Sequence, residues 1–128
     1  MKGLRKIDNI MYRVKDLDAS VKFYSEVLGL KQVWKDESNK MVGFVFPESD
    51  SEIVIHTNEN ISNPDFSFLV DNVGDFVKEF RRTGYKVYKE PFDIRSGKFA
   101  IVSDPDDNII NIIDLTKFNG KPRYDHGS

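Results

Sequence analysis

Cysteine is absent from the 128 residues, and histidine occurs only twice, at His56 and His126. Without a thiol there is no disulfide framework, no thiolate nucleophile and no cysteine-type zinc site. The absence does not fix the compartment. A strong charge of either sign is missing as well. The formal charge is −2, so bulk electrostatics give no reason to expect a nucleic-acid partner. No run approaches the roughly 20 apolar residues needed to span a bilayer. The opening MKGLRKID lacks the apolar stretch of a secretion signal. The expected setting is the cytoplasm, away from membranes. There is no phosphate-binding glycine loop, no G-x-G-x-x-G, no zinc spacing and no Ser-His-Asp pattern. Asn60-Ile61-Ser62 fits a glycosylation pattern but is read as chance without secretion.

What is present is one domain's length of ordinary soluble composition, arranged as a repeated unit. Lys6 to Val14 alternates with strand periodicity. Ile10, Tyr12 and Val14 form an apolar face. Ile7, Asn9, Met11 and Arg13 form a mixed face that suits a cavity wall. Asp16 or Asp18 is placed to cap a helix. Its stripe is Leu17, Val21, Tyr24 and Leu28, broadened by Phe23 and Val27 and closed by Gly29. Three short strands are predicted next: Lys31 to Asp36, Met41 to Phe46 and Glu52 to Thr57. In the last, Glu52, Val54 and His56 share one face. The polar stretch Asn58 to Pro64 bounds the unit.

The order then repeats with a period of about 56 residues. Phe66, Phe68 and Val70 give the strand, and Val73, Phe76, Val77 and Phe80 the helix stripe, closed by Gly84. Lys86 to Lys89 reads as a strand, Glu90 to Gly97 as irregular, and Phe99 to Val102 and Ile109 to Leu115 as the last two strands. Asp104 to Asn108 is a turn cluster. It only mimics a calcium loop, because Ile109 and Leu115 stand where that loop needs glycine and glutamate. The expected organisation is a single domain over 1–128, with modules at about 5–58 and 64–117 and a tail at 118–128 that lacks periodicity.

Arg13-Val14-Lys15-Asp16-Leu17, Phe23-Tyr24-Ser25-Glu26-Val27-Leu28-Gly29 and Asp104-Pro105-Asp106-Asp107-Asn108 together resemble the vicinal oxygen chelate superfamily. That group includes glyoxalases, bleomycin-resistance proteins and extradiol dioxygenases. Asp107 departs from the usual glycine, though Asp tolerates the left-handed conformation that turn needs. The resemblance implies an α+β fold of two tandem βαβββ modules whose curved mixed sheet forms a cleft. It also implies a homodimer. Metal-dependent members place one ligand on the first and one on the last strand of each unit. Those positions fall at Asn9, Asp65, Val54 and Asn111, with His56 as the alternative to Val54.

Valine cannot ligate and asparagine is a weak neutral donor, so only Asp65 is an ordinary ligand there. The sequence therefore points to no resident cofactor, with a divalent metal as the alternative. Asn9, Arg13, Trp34, His56, Asp65, Ser67 and Asn111 are the candidate ligand-binding residues. Arg13 is read either as an anchor for a carboxylate or phosphate or as an ion-pair partner of Glu52 or Asp65. Asp65 is a candidate general base if the cavity raises its pKa. Trp34, with Phe44 and Phe46 on the next strand, could stack on a planar ligand or serve as core. Ser67 is a polar contact, since nothing places a histidine beside it. Three functions are in view. One is a metal-free binder of a small molecule, anionic or aromatic, that sequesters an antibiotic or metabolite. Another is a metal-dependent lyase, isomerase or dioxygenase. The third is a regulatory domain with an unused cleft.

Overall fold

The computed structural model describes residues 2–121. The chain falls into two compact units, one built from residues 8–66 and the other from residues 2–7 with 67–121. They are called here the N-terminal and C-terminal units. His126 and the end of the predicted tail lie outside the described residues.

Each of the two predicted modules follows the expected order of strand, helix and three strands. The first has β1 (Lys6–Arg13), α1 (Leu17–Lys22), β2 (Lys31–Asp36), β3 (Met41–Val45) and β4 (Glu52–His56). The second has β5 (Asp65–Leu69), α2 (Val73–Arg82), β6 (Val87–Asp93), β7 (Lys98–Ser103) and β8 (Ile109–Ile113). The strand orders are β2-β3-β4-β1 and β5-β8-β7-β6. β1 runs parallel to β4 and β5 parallel to β8, while the remaining pairs are antiparallel. The fold class is α+β, in two βαβββ modules.

Asp16 rather than Asp18 caps α1, its Oδ1 accepting from the Ala19 amide at 3.0 Å. Asn72 does the same for α2 through Asp75. Gly29 and Gly84 close the two helical segments at φ +72° and +84°, a conformation glycine adopts without a Cβ penalty. Asp107 takes φ +63° in its turn, so aspartate does fill the glycine position there.

The helix stripe of the N-terminal unit departs from expectation. Leu17, Val21 and Tyr24 pack on Leu30, Val42, Phe44 and Ile55 as predicted. Phe23, Val27 and Leu28, however, are 47%, 68% and 49% exposed. Leu28 leaves the stripe because of a π-helical turn over Phe23–Val27, where its amide donates to the Phe23 carbonyl five residues back. One added residue rotates the remainder of the helix by about 100°, a single helical step. Leu28 therefore swings outward, and Leu30 joins the cluster instead.

The segment expected to be irregular from Glu90 continues as β6 through Asp93. Its pairing with β7 breaks register twice, between Val87 and Lys89 and between Lys89 and Phe92. Pro91 explains why it reads as a loop; proline is tolerated at an outer strand or a bulge, where its missing N–H costs no ladder bond. The C-terminal unit's main cluster is Val70, Val73, Phe76, Val77, Ala100, Val102 and Ile112. Beside it Asp114, fully buried, acts as a hub. Its Oδ2 accepts from the Val73 amide at the start of α2, and its Oδ1 from the Lys98 amide and the Thr116 hydroxyl.

Candidate functional site

Strand alternation sorts β3 and β4 cleanly. Val42, Phe44, Ile53 and Ile55 face the helix cluster. The opposite face therefore carries Gly43 from β3 and Glu52, Val54 and His56 from β4. The parallel register sets Asn9 beside Glu52, Met11 beside Val54 and Arg13 beside His56. Polar groups stand at both ends of this face and apolar ones between them. Asn9 and His56 are offset by four residues along it, about 13 Å at the usual strand rise.

Trp34 lies on this face, across from Gly43. A Cβ built on Gly43 would fall 2.0 Å from the indole Nε1 and 2.2 Å from Cε2. The indole therefore occupies the space a side chain would fill. Its Nε1–H donates to Glu52 Oε1 at 2.6 Å, and Glu52 is only 3% exposed. A charge-assisted bond to a buried carboxylate is stronger than a neutral one, and here it fixes both partners. The expected grouping of Trp34 with Phe44 and Phe46 does not form. Those phenylalanines belong to the helix side, where Phe44 meets Tyr24 at 5.7 Å between ring centroids. Sequence reasoning misses Glu52 as a site residue. The available signal is its place in the Glu52-Val54-His56 alternation, opposite Ile53 and Ile55.

At the near end, Asn9 is buried; its Nδ2 donates to Asp8 at 2.7 Å and its Oδ1 has no partner. At the far end, His56 is wholly buried. Its Nδ1 accepts from the Asn58 amide at 3.0 Å, and its Nε2 has no partner. Because a backbone N–H can only donate, Nδ1 is the unprotonated nitrogen and the neutral ring carries its proton on Nε2. Burial pushes the His56 pKa down, Arg13 pushes it further, and Asp65 opposes both more weakly. Between the lowered folded value and the ordinary 6.5, the unfolded chain binds the proton that the folded chain refuses. Stability should therefore fall as pH drops through and below about 6.5, and this slope should shrink in His56→Gln. Urea midpoints measured from pH 7.5 to 5 check it.

Arg13 is committed in part to the connection after β4. Its Nη1 donates to the carbonyls of Glu59 and Ile61, and its amide to Asn63 Oδ1. Asp65 opens β5 half-buried. Ser67 and Asn111 belong to the other unit. Each precedes a residue of the paired Phe68 and Ile112, so the β5–β8 register sets them side by side. The structure thus gathers Asn9, Trp34 and His56 on one face, joined by Glu52, and Ser67 with Asn111 in a second group.

A groove of about 430 Å³ lies elsewhere, at the start of α2, lined by Lys2, Val70, Asp71, Asn72, Asp75, Phe76 and Glu79. None of the predicted site residues lines it. Its acids serve the fold: Asp71 pairs with Lys2 and Arg5, and Asp75 sits in the first turn of α2. No three His, Asp or Glu side chains converge as a metal cluster among the described residues.

Residues 6–112 match the family model described as Glyoxalase/Bleomycin resistance protein/Dioxygenase superfamily. A probable chloroplastic lactoylglutathione lyase of Arabidopsis thaliana is 31% identical over 80% of this chain and 33% of its own length. The chain spans less than half the length of that relative and of a second Arabidopsis lactoylglutathione lyase. A lactoylglutathione lyase of Haemophilus influenzae is 28% identical over 85% of this chain and 92% of its own length. Among solved structures, a Streptomyces coelicolor methylmalonyl-CoA epimerase variant aligns at TM-score 0.63 and 19% identity, over 86% of this chain and 96% of that one. At that identity the likeness concerns the fold.

Proposed function

Because the chain belongs to the glyoxalase/bleomycin resistance protein/dioxygenase superfamily, we propose that it binds a small molecule without a resident transition metal, on the sheet face carrying Trp34, Glu52, Val54 and His56. One observation carries this reading. Where metal-dependent relatives need ligands, residues 8–66 offer the Asn9 amide, the Val54 side chain, a His56 whose Nε2 bears a proton and a single ordinary donor, the Asp65 carboxylate. A metal-binding nitrogen needs a free lone pair. Supplying it at Nε2 would move the proton to Nδ1, against the donating Asn58 amide. Turning the ring over would break that bond as well. The residues present do not fit a transition ion, and no step of the proposal runs through one.

The apolar middle of the face and the Trp34 indole suit a planar or partly apolar ligand, and the polar ends fix its orientation. Sequestration of an antibiotic or metabolite fits such a face. A homodimer in the cytoplasm is part of the same proposal. The test uses protein purified without a histidine tag. Metal analysis should give far less than one equivalent of nickel, zinc, iron or manganese per chain. A panel of small aromatic acids should include members that change Trp34 emission saturably. Close to one equivalent of metal per chain would overturn the reading.

The named lyase relatives favour a second reading, a metal-dependent enzyme. Turnover of lactoylglutathione assayed with and without added nickel or zinc separates the two. Metal-stimulated turnover supports the enzyme.

A further inference from the structure

We infer that His56 is a hydrogen-bond donor of fixed tautomer, and that its Nε2–H receives a carboxylate oxygen of the ligand. The inference rests on the reading that this sheet face seats a small molecule, and it names the chemical group recognised there.

Three observations carry it. The Asn58 amide holds Nδ1 as an acceptor, which leaves Nε2 able only to donate. The Nε2 atom is buried and without a partner in a residue that is wholly inaccessible. A donor sealed away unsatisfied is costly, so a protein that keeps one there gains if a ligand oxygen completes it. The charge of that oxygen is set by the surroundings. Arg13, the register neighbour of His56, acts on the ring more strongly than Asp65 does. A guanidinium at the register position beside His56 favours an anionic acceptor over a neutral carbonyl.

The approach is also defined. Met41 pairs with His56 across β3 and β4, and Met11 neighbours Val54 on the same face. Both are half-buried, unbranched and conformationally adaptable. On this inference a carboxylate comes to Nε2 past these two side chains. An acyl or aryl tail then lies over Val54 toward Trp34.

Histidine-selective 15N labelling of the full chain carrying His126→Gln leaves a single imidazole to observe. At pH 7 the long-range 1H–15N pattern should be that of the Nε2–H tautomer, and one equivalent of zinc should not change it. Sodium acetate should then move the His56 Hε2 resonance downfield and saturably, while acetamide and matched sodium chloride should not. An Nδ1–H tautomer, or an Hε2 resonance indifferent to acetate, overturns the inference. If Hε2 is indifferent while an aromatic acid still changes Trp34 emission, His56 is not the donor and the proposed binding face stands. Zinc that converts Nε2 to a coordinated nitrogen sinks both.

Discussion

Asp114→Ala should destabilise the protein by about 2–5 kcal/mol, since each buried donor left without its acceptor costs about 1–3 kcal/mol. The side chain serves three places in the chain at once. It accepts from the Val73 amide at 2.8 Å, the Lys98 amide at 2.9 Å and the Thr116 hydroxyl at 2.8 Å. Val73 is completely buried, so its amide finds no replacement in water, whereas Lys98 and Thr116 are exposed enough to be partly rehydrated. The loss thus concentrates on the docking of α2. Asp114→Asn keeps one acceptor oxygen but turns an NH2 toward a donor, and should cost less than alanine. Gly97→Ala tests the same hub from outside, because its Cβ would fall 1.9 Å from Asp114 Oδ1. Urea denaturation by circular dichroism reads all three. Small domains are stable by only about 5–15 kcal/mol, so the alanine variant should show a large drop in midpoint. A midpoint within about 0.3 M of wild type, on the order of 0.5 kcal/mol at usual urea slopes, would show that Asp114 is dispensable.

Gly43→Val should expel the Trp34 indole from its seat. The valine Cβ would need the volume now held by Nε1 and Cε2, and Gly43 sits in the middle of β3, where the backbone cannot retreat. Overpacking of this kind costs about 1–3 kcal/mol, and loss of the Trp34–Glu52 bond adds about 1.5–3 kcal/mol. As Trp34 is the only tryptophan, the emission maximum reports it directly and should move to the red with the protein still folded. Removing the indole should relieve the clash, so Gly43→Val combined with Trp34→Ala should cost less than the sum of the single changes. Additivity would show that the two residues do not compete for one space. The same variant should lose the ligand response proposed for this face.

The modules are legible in the amino-acid order because each rests on a local periodicity with a chemical stop. Gly29 and Gly84 end helical segments in the left-handed region, and Asp107 turns where a glycine is usual, all visible as residue types at fixed offsets. The two-residue alternation of β4 also puts Glu52, Val54 and His56 together correctly. The features that escape depend on partners distant in the chain or on a change of helical phase. Nothing in Phe23 to Val27 announces a π-helical turn, so Leu28 reads as core. Trp34 reaches Glu52 only because Gly43, nine residues away, has no side chain to stop it. Asp114 looks like any strand-end aspartate, since its donors come from Val73, Lys98 and Thr116. The tautomer of His56 is equally hidden, because it is set by the backbone amide of Asn58.

β2 and β6 close the far ends of their units' strand orders, and both have broken registers: β2 between Gln32 and Trp34, β6 at two places. β6 also carries Pro91 and Lys89, and β2 carries Lys31 and Lys35. A foreign strand could not zip along either border without meeting a kink, a missing amide or an exposed lysine ammonium, so both discourage fibre growth. A chain assembled from half-open sheets needs such guarded margins to remain dispersed at high concentration.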